Sequence, residues 1–164
     1  MKILFLIYHG FSEVSGISKK IRYQVKGLRQ NGHEVHLCYY DSDSNGHWQR
    51  LVEAESLKVS EDFGTGKLAG LRQRFSYGAI YRYCVEQKIE MVYARSFMNA
   101  NPCLNRFFYR LKKAGIKAVM EIPTYPYDQE FQGFSCVERL QLRLDQIFRK
   151  SLARQLEAIV TFTN

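Results

Sequence analysis

The sequence predicts an α/β domain built on an open, mostly parallel sheet with helices on both faces. Three observations carry that expectation. Apolar runs of strand length occur without polar alternation, as strands covered on both faces require. Segments of helical periodicity alternate with them along the chain, and glycine or proline stands at many of the junctions.

The first run, Lys2-Ile3-Leu4-Phe5-Leu6-Ile7-Tyr8, is apolar almost throughout and reads as a strand of the sheet interior. The turn from His9 to Gly16 is rich in glycine and serine. After it, Ile17, Ile21, Val25 and Leu28 recur at helical spacing, with Lys19, Lys20, Arg22, Lys26 and Arg29 on the opposite face. Asn31-Gly32 supplies a helix stop, and His33 to Tyr40 alternates into a second strand. Asp41 to Gly66 is polar, with a turn cluster over 41–46 and one short candidate strand, Leu57-Lys58-Val59. Leu68, Leu71, Phe75, Ala79, Tyr83 and Val85 then read as one helix, followed by a strand from Met91 to Ala94 that ends at Arg95-Ser96. A helix through Leu104, Phe107, Phe108 and Leu111 stops near Gly115, and Lys117 to Ile122 is the next strand, closed by Pro123. Beyond a loop from Pro123 to Glu130, the spacing of Val137, Leu140, Leu144, Ile147, Phe148 and Leu152 predicts a long helix, and Ala158 to Phe162 a last strand.

With 164 residues, 46% hydrophobic and 24% charged, the chain has the size and composition of one globular domain over positions 1–164. No apolar run approaches the roughly 18 residues that span a bilayer. The strand-like run directly after Met1 is too short for a secretion signal, so a cytoplasmic protein is expected. Cys38, Cys84, Cys103 and Cys136 are scattered, without a C-x-x-C pair or a histidine at zinc-ligand spacing; free thiols and no metal are expected. The net charge of +8 suits nucleic acid, an anionic membrane face or a phosphorylated substrate equally. In sheets of this type ligands collect beyond the carboxyl ends of the strands, so the loops His9–Gly16, Arg95–Asn99 and Glu121–Glu130 should line one crevice.

Met1-Lys2-Ile3-Leu4-Phe5, a glycine turn at Gly16, a basic helix and then Asn31-Gly32-His33-Glu34-Val35 resemble, in that order, the opening of family 4 glycosyltransferases. The layout matches over essentially the whole chain. Val119-Met120-Glu121-Ile122-Pro123-Thr124-Tyr125-Pro126-Tyr127-Asp128 is similar to the corresponding segment of bacterial capsular and exopolysaccharide transferases. The resemblance implies the GT-B architecture, in which two Rossmann-like domains face each other, the amino-terminal one binding the acceptor and the carboxy-terminal one the sugar nucleotide. It implies that this chain is the acceptor-side Rossmann-like domain of a retaining enzyme that moves a sugar from a nucleotide-sugar donor to a glycan or lipid-linked oligosaccharide in cell-surface polysaccharide synthesis. The donor-binding domain would lie outside the chain, which alone would be inactive. No cofactor is implied, the nucleotide sugar being a substrate.

Two departures from the family pattern bear on the site. Where the family usually has two adjacent glycines, this chain has Ser15-Gly16. Gly16 and Ile17 are expected to contact the donor diphosphate across the cleft, at the start of a helix whose free N–H groups and dipole favour an anion; a tight strand-to-helix turn is the structural alternative. Where many members place a histidine that contacts the transferred sugar or the acceptor, the chain has Glu121, the candidate catalytic carboxylate. Its alternative use is an ion pair with Arg95 at the neighbouring strand end, itself a candidate acceptor contact, and the two uses are compatible.

Tyr125, Tyr127, Asp128 and Glu130 combine rings that cover apolar sugar faces with carboxylates that bind hydroxyl pairs, although rigid packing would also use the Pro-Tyr-Pro-Tyr run. His9, at the end of the first strand, is an acceptor-site candidate or a hydrogen-bonded structural residue. The basic residues of the first helix, with Arg106, Arg110, Lys112 and Lys113, suit either solvated helix faces or peripheral contact with an anionic membrane. No helix-turn-helix, zinc knuckle or RNP-like signature accompanies the charge, so a nucleic-acid partner is not expected. A different class of function, a stand-alone Rossmann-like nucleotide-binding or interaction module, is disfavoured by the absence of G-x-G-x-x-G from the first turn.

Overall fold

The computed structural model describes residues 1–11, 15–96, 100–123 and 136–161. Its seven strands are β1 (Lys2–Leu6), β2 (Glu34–Ser42), β3 (Trp48–Glu53), β4 (Leu57–Gly64), β5 (Met91–Arg95), β6 (Lys117–Ile122) and β7 (Ala158–Thr161). Five helices among the described residues run between them: α1 (Gly16–Gln30), α2 (Lys67–Phe75), α3 (Gly78–Glu86), α4 (Pro102–Lys113) and α5 (Cys136–Ala153). The strands form one sheet in the order β4-β3-β2-β1-β5-β6-β7. β2, β1, β5, β6 and β7 are parallel, and an antiparallel β3–β4 hairpin extends the sheet beyond β2. The expected open, mostly parallel α/β sheet is therefore the observed one.

The unbroken apolar run of β1 has a direct cause: its side chains feed two cores. Leu4 and Leu6 pack with Val92, Ala94 and Met120 against Ile80, Leu104, Phe107, Phe108 and Leu152 from α3, α4 and α5. Ile3, Phe5 and Ile7 pack with Val35, Leu37 and Leu51 against Ile21 and Val25 of α1 on the other face. The helices start and stop where the local chemistry allows. Ser15 caps α1, its hydroxyl accepting from the Ser18 N–H at 3.4 Å. Asn101 caps α4 by accepting from the N–H groups of Cys103 and Leu104, with Pro102 in the first turn. Gly32 and Gly115, at φ +78° and +75°, turn the chain back toward the next strand in a conformation that favours glycine.

Two segments differ from the sequence expectation. The polar stretch from Asp41 to Gly66 holds two strands rather than one short one, and the helix expected across 68–85 is two helices broken at Ser76-Tyr77. One side chain explains much of both differences. Arg50, in the middle of β3, has no exposed surface. It pairs with Glu61 of β4 at 2.7 Å, donates to the Tyr40 hydroxyl at 3.0 Å through Nε, and donates to the Ser76 carbonyl at 2.5 Å. Glu61 in turn accepts from the Ser76 hydroxyl. The guanidinium lies 4.9 Å, 5.3 Å and 5.7 Å from the ring centres of Tyr40, Phe63 and Tyr77. It takes up the Ser76 carbonyl left by the end of α2 and ties the break between the helices to the hairpin.

Burial also sets the response to alkali. The Cys38 thiol and the Tyr83 hydroxyl are each pushed up to about 12, first by desolvation, and desolvation raises Cys84, Tyr40 and Tyr93 too. The native chain therefore keeps protons that the unfolded chain releases in the ordinary thiol and phenol range. With fewer protons bound to the unfolded state, the free energy of unfolding falls as pH rises. Stability from these groups is fully present at neutral pH and should decline from about pH 9 upward, so the urea midpoint at about pH 10.5 should lie well below that at about pH 7.5. Equal midpoints would contradict the burial of these groups.

Candidate functional site

In the strand order β2-β1-β5 the direction of winding reverses between β1 and β5, which makes the space beyond their carboxyl ends the ligand crevice of such a sheet. His9 follows β1, Arg95 ends β5, and Glu121 pairs with Arg95 in register one strand further on. Three sequence-expected residues thus lie at one end of adjacent strands, with α1 running from Gly16 along the same face as Tyr93 and Glu121.

Glu121 is fully buried and Arg95 is 9% exposed. Arg95 Nη1 donates to Glu121 Oε1 at 2.5 Å. The Tyr93 hydroxyl and Gln24 Nε2 donate to Oε2 at 2.9 Å and 3.0 Å, and Lys20 Nζ stands 4.0 Å from Oε1. The ion pair raised as one use of Glu121 is present, and both carboxylate oxygens are occupied. Tyr93 lies against Phe5, ring centres 4.8 Å apart. Desolvation first, and then its hydrogen bond to Glu121, hold its hydroxyl well above the ordinary phenol range, so it remains the donor. Lys20, with 44% of its side chain exposed, is the outermost member of the cluster.

His9 Nδ1 lies 2.9 Å from the Gly10 carbonyl oxygen. A carbonyl only accepts, so Nδ1 donates to it, and a ring protonated at Nδ1 alone presents a lone pair at Nε2. That atom is buried and has no hydrogen-bond partner among the described residues, as is also true of Gln24 Oε1. Gly10 is required by geometry: a Cβ there would stand 2.9 Å from the Tyr40 carbonyl oxygen. At Gly16 a Cβ would meet nothing within 4 Å among the described residues, and Ile17 is 51% exposed. No described residue therefore fills the space beside the Gly16 Cα. Tyr125, Tyr127, Asp128 and Glu130 lie outside the described residues.

Sequence reasoning did not find Lys20, Gln24 or Tyr93 as partners of Glu121. The one available signal was the spacing of Lys20 and Gln24, one helical turn apart on α1. No group of three or more His, Cys, Asp or Glu side chains among the described residues could hold a metal ion. No described helix is long and apolar enough to cross a membrane.

No protein-family model matches the chain, and no curated protein matches it in sequence. Its fold is similar to part of a solved α-glucosyltransferase, in complex with UDP and a 13-mer DNA containing a central A:G mismatch, with a TM-score of 0.50 at 17% identity. The likeness covers 98% of this chain and 37% of that enzyme, so this chain corresponds to little more than a third of it. The fold is that of a Rossmann-like α/β domain and matches such a domain of a GT-B glycosyltransferase.

Proposed function

We propose that the chain is the acceptor-side domain of a retaining glycosyltransferase of the capsular or exopolysaccharide type, working on a glycan or lipid-linked acceptor at the inner face of the cell membrane. The donor nucleotide sugar is held by a second domain outside this chain. In the reaction the bond from the anomeric carbon to the nucleotide diphosphate breaks and a glycosidic bond to an acceptor hydroxyl forms. The hydroxyl proton leaves with the diphosphate. The observation that carries the reading is the buried Glu121–Arg95 couple at the floor of the strand-end crevice, roofed by Lys20 and Gln24, in a fold like that of an α-glucosyltransferase domain.

Within this reading His9 Nε2 accepts from a sugar hydroxyl, and Tyr125, Tyr127, Asp128 and Glu130 supply ring and carboxylate contacts from the loop after β6. Glu121, whose oxygens are held by protein donors, is a positioning residue: it sets Arg95 and Lys20 toward the acceptor. Gly16 and Ile17 meet the donor diphosphate. Incubating the gene product that carries this chain with a panel of nucleotide sugars and membrane extract tests the proposal, and absence of transfer from every donor would sink it. The net charge of +8 is read as favouring anionic lipid over nucleic acid as a partner; tight binding of a short DNA duplex would argue against that choice.

Gly16 gives a sharper test. Because no atom of the described residues lies within 4 Å of where its Cβ would be, Gly16→Ala should leave the melting temperature unchanged or slightly raised. If the diphosphate approaches that backbone, the KM for donor should rise by roughly tenfold, a loss of about 1.4 kcal/mol of donor binding. A melting temperature lowered by several degrees with unaltered KM would assign Gly16 to the turn alone.

A further inference from the structure

Helix α2 reverses the usual arrangement of a surface helix. Its inward residue is the small Ala69, while Leu68, Leu71 and Phe75, spaced to share one face, are 66%, 49% and 39% exposed. Arg72 is exposed beside them. From Phe63 to Val85 the sequence carries the cations Lys67, Arg72, Arg74 and Arg82 and no aspartate or glutamate. Trp48, the chain's one tryptophan, is 37% exposed at the start of β3. It pairs with Gly64, two residues before the Gly66 that precedes α2. Strand alternation puts it on the sheet face of Arg50, whose guanidinium reaches the α2–α3 break. Because β3 begins opposite Ser42 at the end of β2, this edge lies at the same end of the sheet as the crevice.

We propose that the exposed face of α2, with Trp48, rests on an anionic lipid bilayer. Leucine and phenylalanine on one side, arginine around them and tryptophan at the margin are the chemistry of the headgroup boundary, where rings and aliphatic groups enter the acyl region and guanidinium groups meet lipid phosphate. Cations without an intervening carboxylate match a surface of one sign, whereas a protein partner presents both. The assignment rests on the reading that the acceptor is lipid-linked, and it names the surface that would hold the crevice near that lipid. Vesicle binding needs no donor sugar, so transfer can fail while the contact stands, and the reverse.

Flotation with phosphatidylcholine vesicles, with and without phosphatidylglycerol, tests it. The protein should float with the anionic vesicles only, with Trp48 emission shifted to the blue and quenched by brominated lipid. Leu71→Glu/Phe75→Glu should lower binding by roughly tenfold with an unchanged circular dichroism spectrum. Arg106→Gln/Lys113→Gln on α4, which makes the net charge more negative by the same amount, should lower it by less than about twofold. Equal loss in the two double variants would overturn the proposal in favour of diffuse attraction. It is also overturned if the protein does not bind anionic vesicles, or if sedimentation shows a dimer that Leu71→Glu/Phe75→Glu dissociates. Should that variant not fold, the Trp48 signal of the unaltered protein decides: bound protein with unshifted, unquenched emission places the contact elsewhere.

Discussion

Arg50→Ala is expected to destabilise the domain by about 3–5 kcal/mol, the cost of removing one partner from a buried ion pair. That is a large share of the roughly 5–15 kcal/mol by which domains are stable. The cost arises from what is left behind. Glu61, the Tyr40 hydroxyl and the Ser76 carbonyl all lose a donor at a site where the guanidinium has no exposed surface, and the rings of Tyr40, Phe63 and Tyr77 lose their shared cation. Because the same group joins the β3–β4 hairpin to the α2–α3 break, the loss should spread to both. Arg50→Lys should recover only part of the stability, since an ammonium cannot reproduce the planar fork that meets Tyr40, Glu61 and Ser76 together. Thermal and urea unfolding measure the difference. A loss below about 1 kcal/mol would mean that water or a rearranged side chain replaces the guanidinium without penalty.

The second large effect is expected at Arg95. Arg95→Ala leaves Glu121 without exposed surface and, among the described residues, with Tyr93, Gln24 and a lysine at 4.0 Å to hold its charge, and should cost about 3–5 kcal/mol. The pair as a whole is worth far less than that, because burying both charges has its own desolvation cost. The double variant Arg95→Met/Glu121→Leu should therefore recover most of the stability, and the non-additivity measures the coupling between the two residues. This separates folding from function. If the couple only fastens β5 to β6, the stable double variant still transfers sugar. If it sets Arg95 and Lys20 for the acceptor, the double variant folds but loses transfer, with the change concentrated in the acceptor KM or in kcat rather than in the donor KM.

The parts of the fold legible in the sequence are those whose burial is one-sided or complete. β1, β5 and β6 announce themselves by apolar runs because both their faces are covered, β2 by alternation, and α1 and α4 by stripes that face those strands. The hairpin was hidden because its centre is Arg50, a charged residue where alternation would place an apolar one. Its outer strand β4 lies at the sheet edge and alternates weakly, with Lys58, Glu61 and Asp62 among its residues. The split between α2 and α3 was hidden for the opposite reason. Leu68, Leu71 and Phe75 form a stripe that reads as inward-facing, and periodicity does not tell which way a stripe points. At the site, Glu121 and Arg95 were legible as neighbouring strand ends. Gln24, Lys20 and Tyr93 were not, since they converge on one carboxylate from separate elements.

The dual burial of β1 bears on how the molecule comes apart. A layered domain can lose one layer and keep the other when each has its own strands. Here Leu4 and Leu6 belong to one core and Phe5 and Ile7 to the other, on neighbouring residues of a single segment. Loosening α1 frees the inner strand on which α4 and α5 also depend, and the reverse holds equally. The two halves are therefore bound to unfold as one cooperative unit, and the crevice built on both of them is lost in the same step.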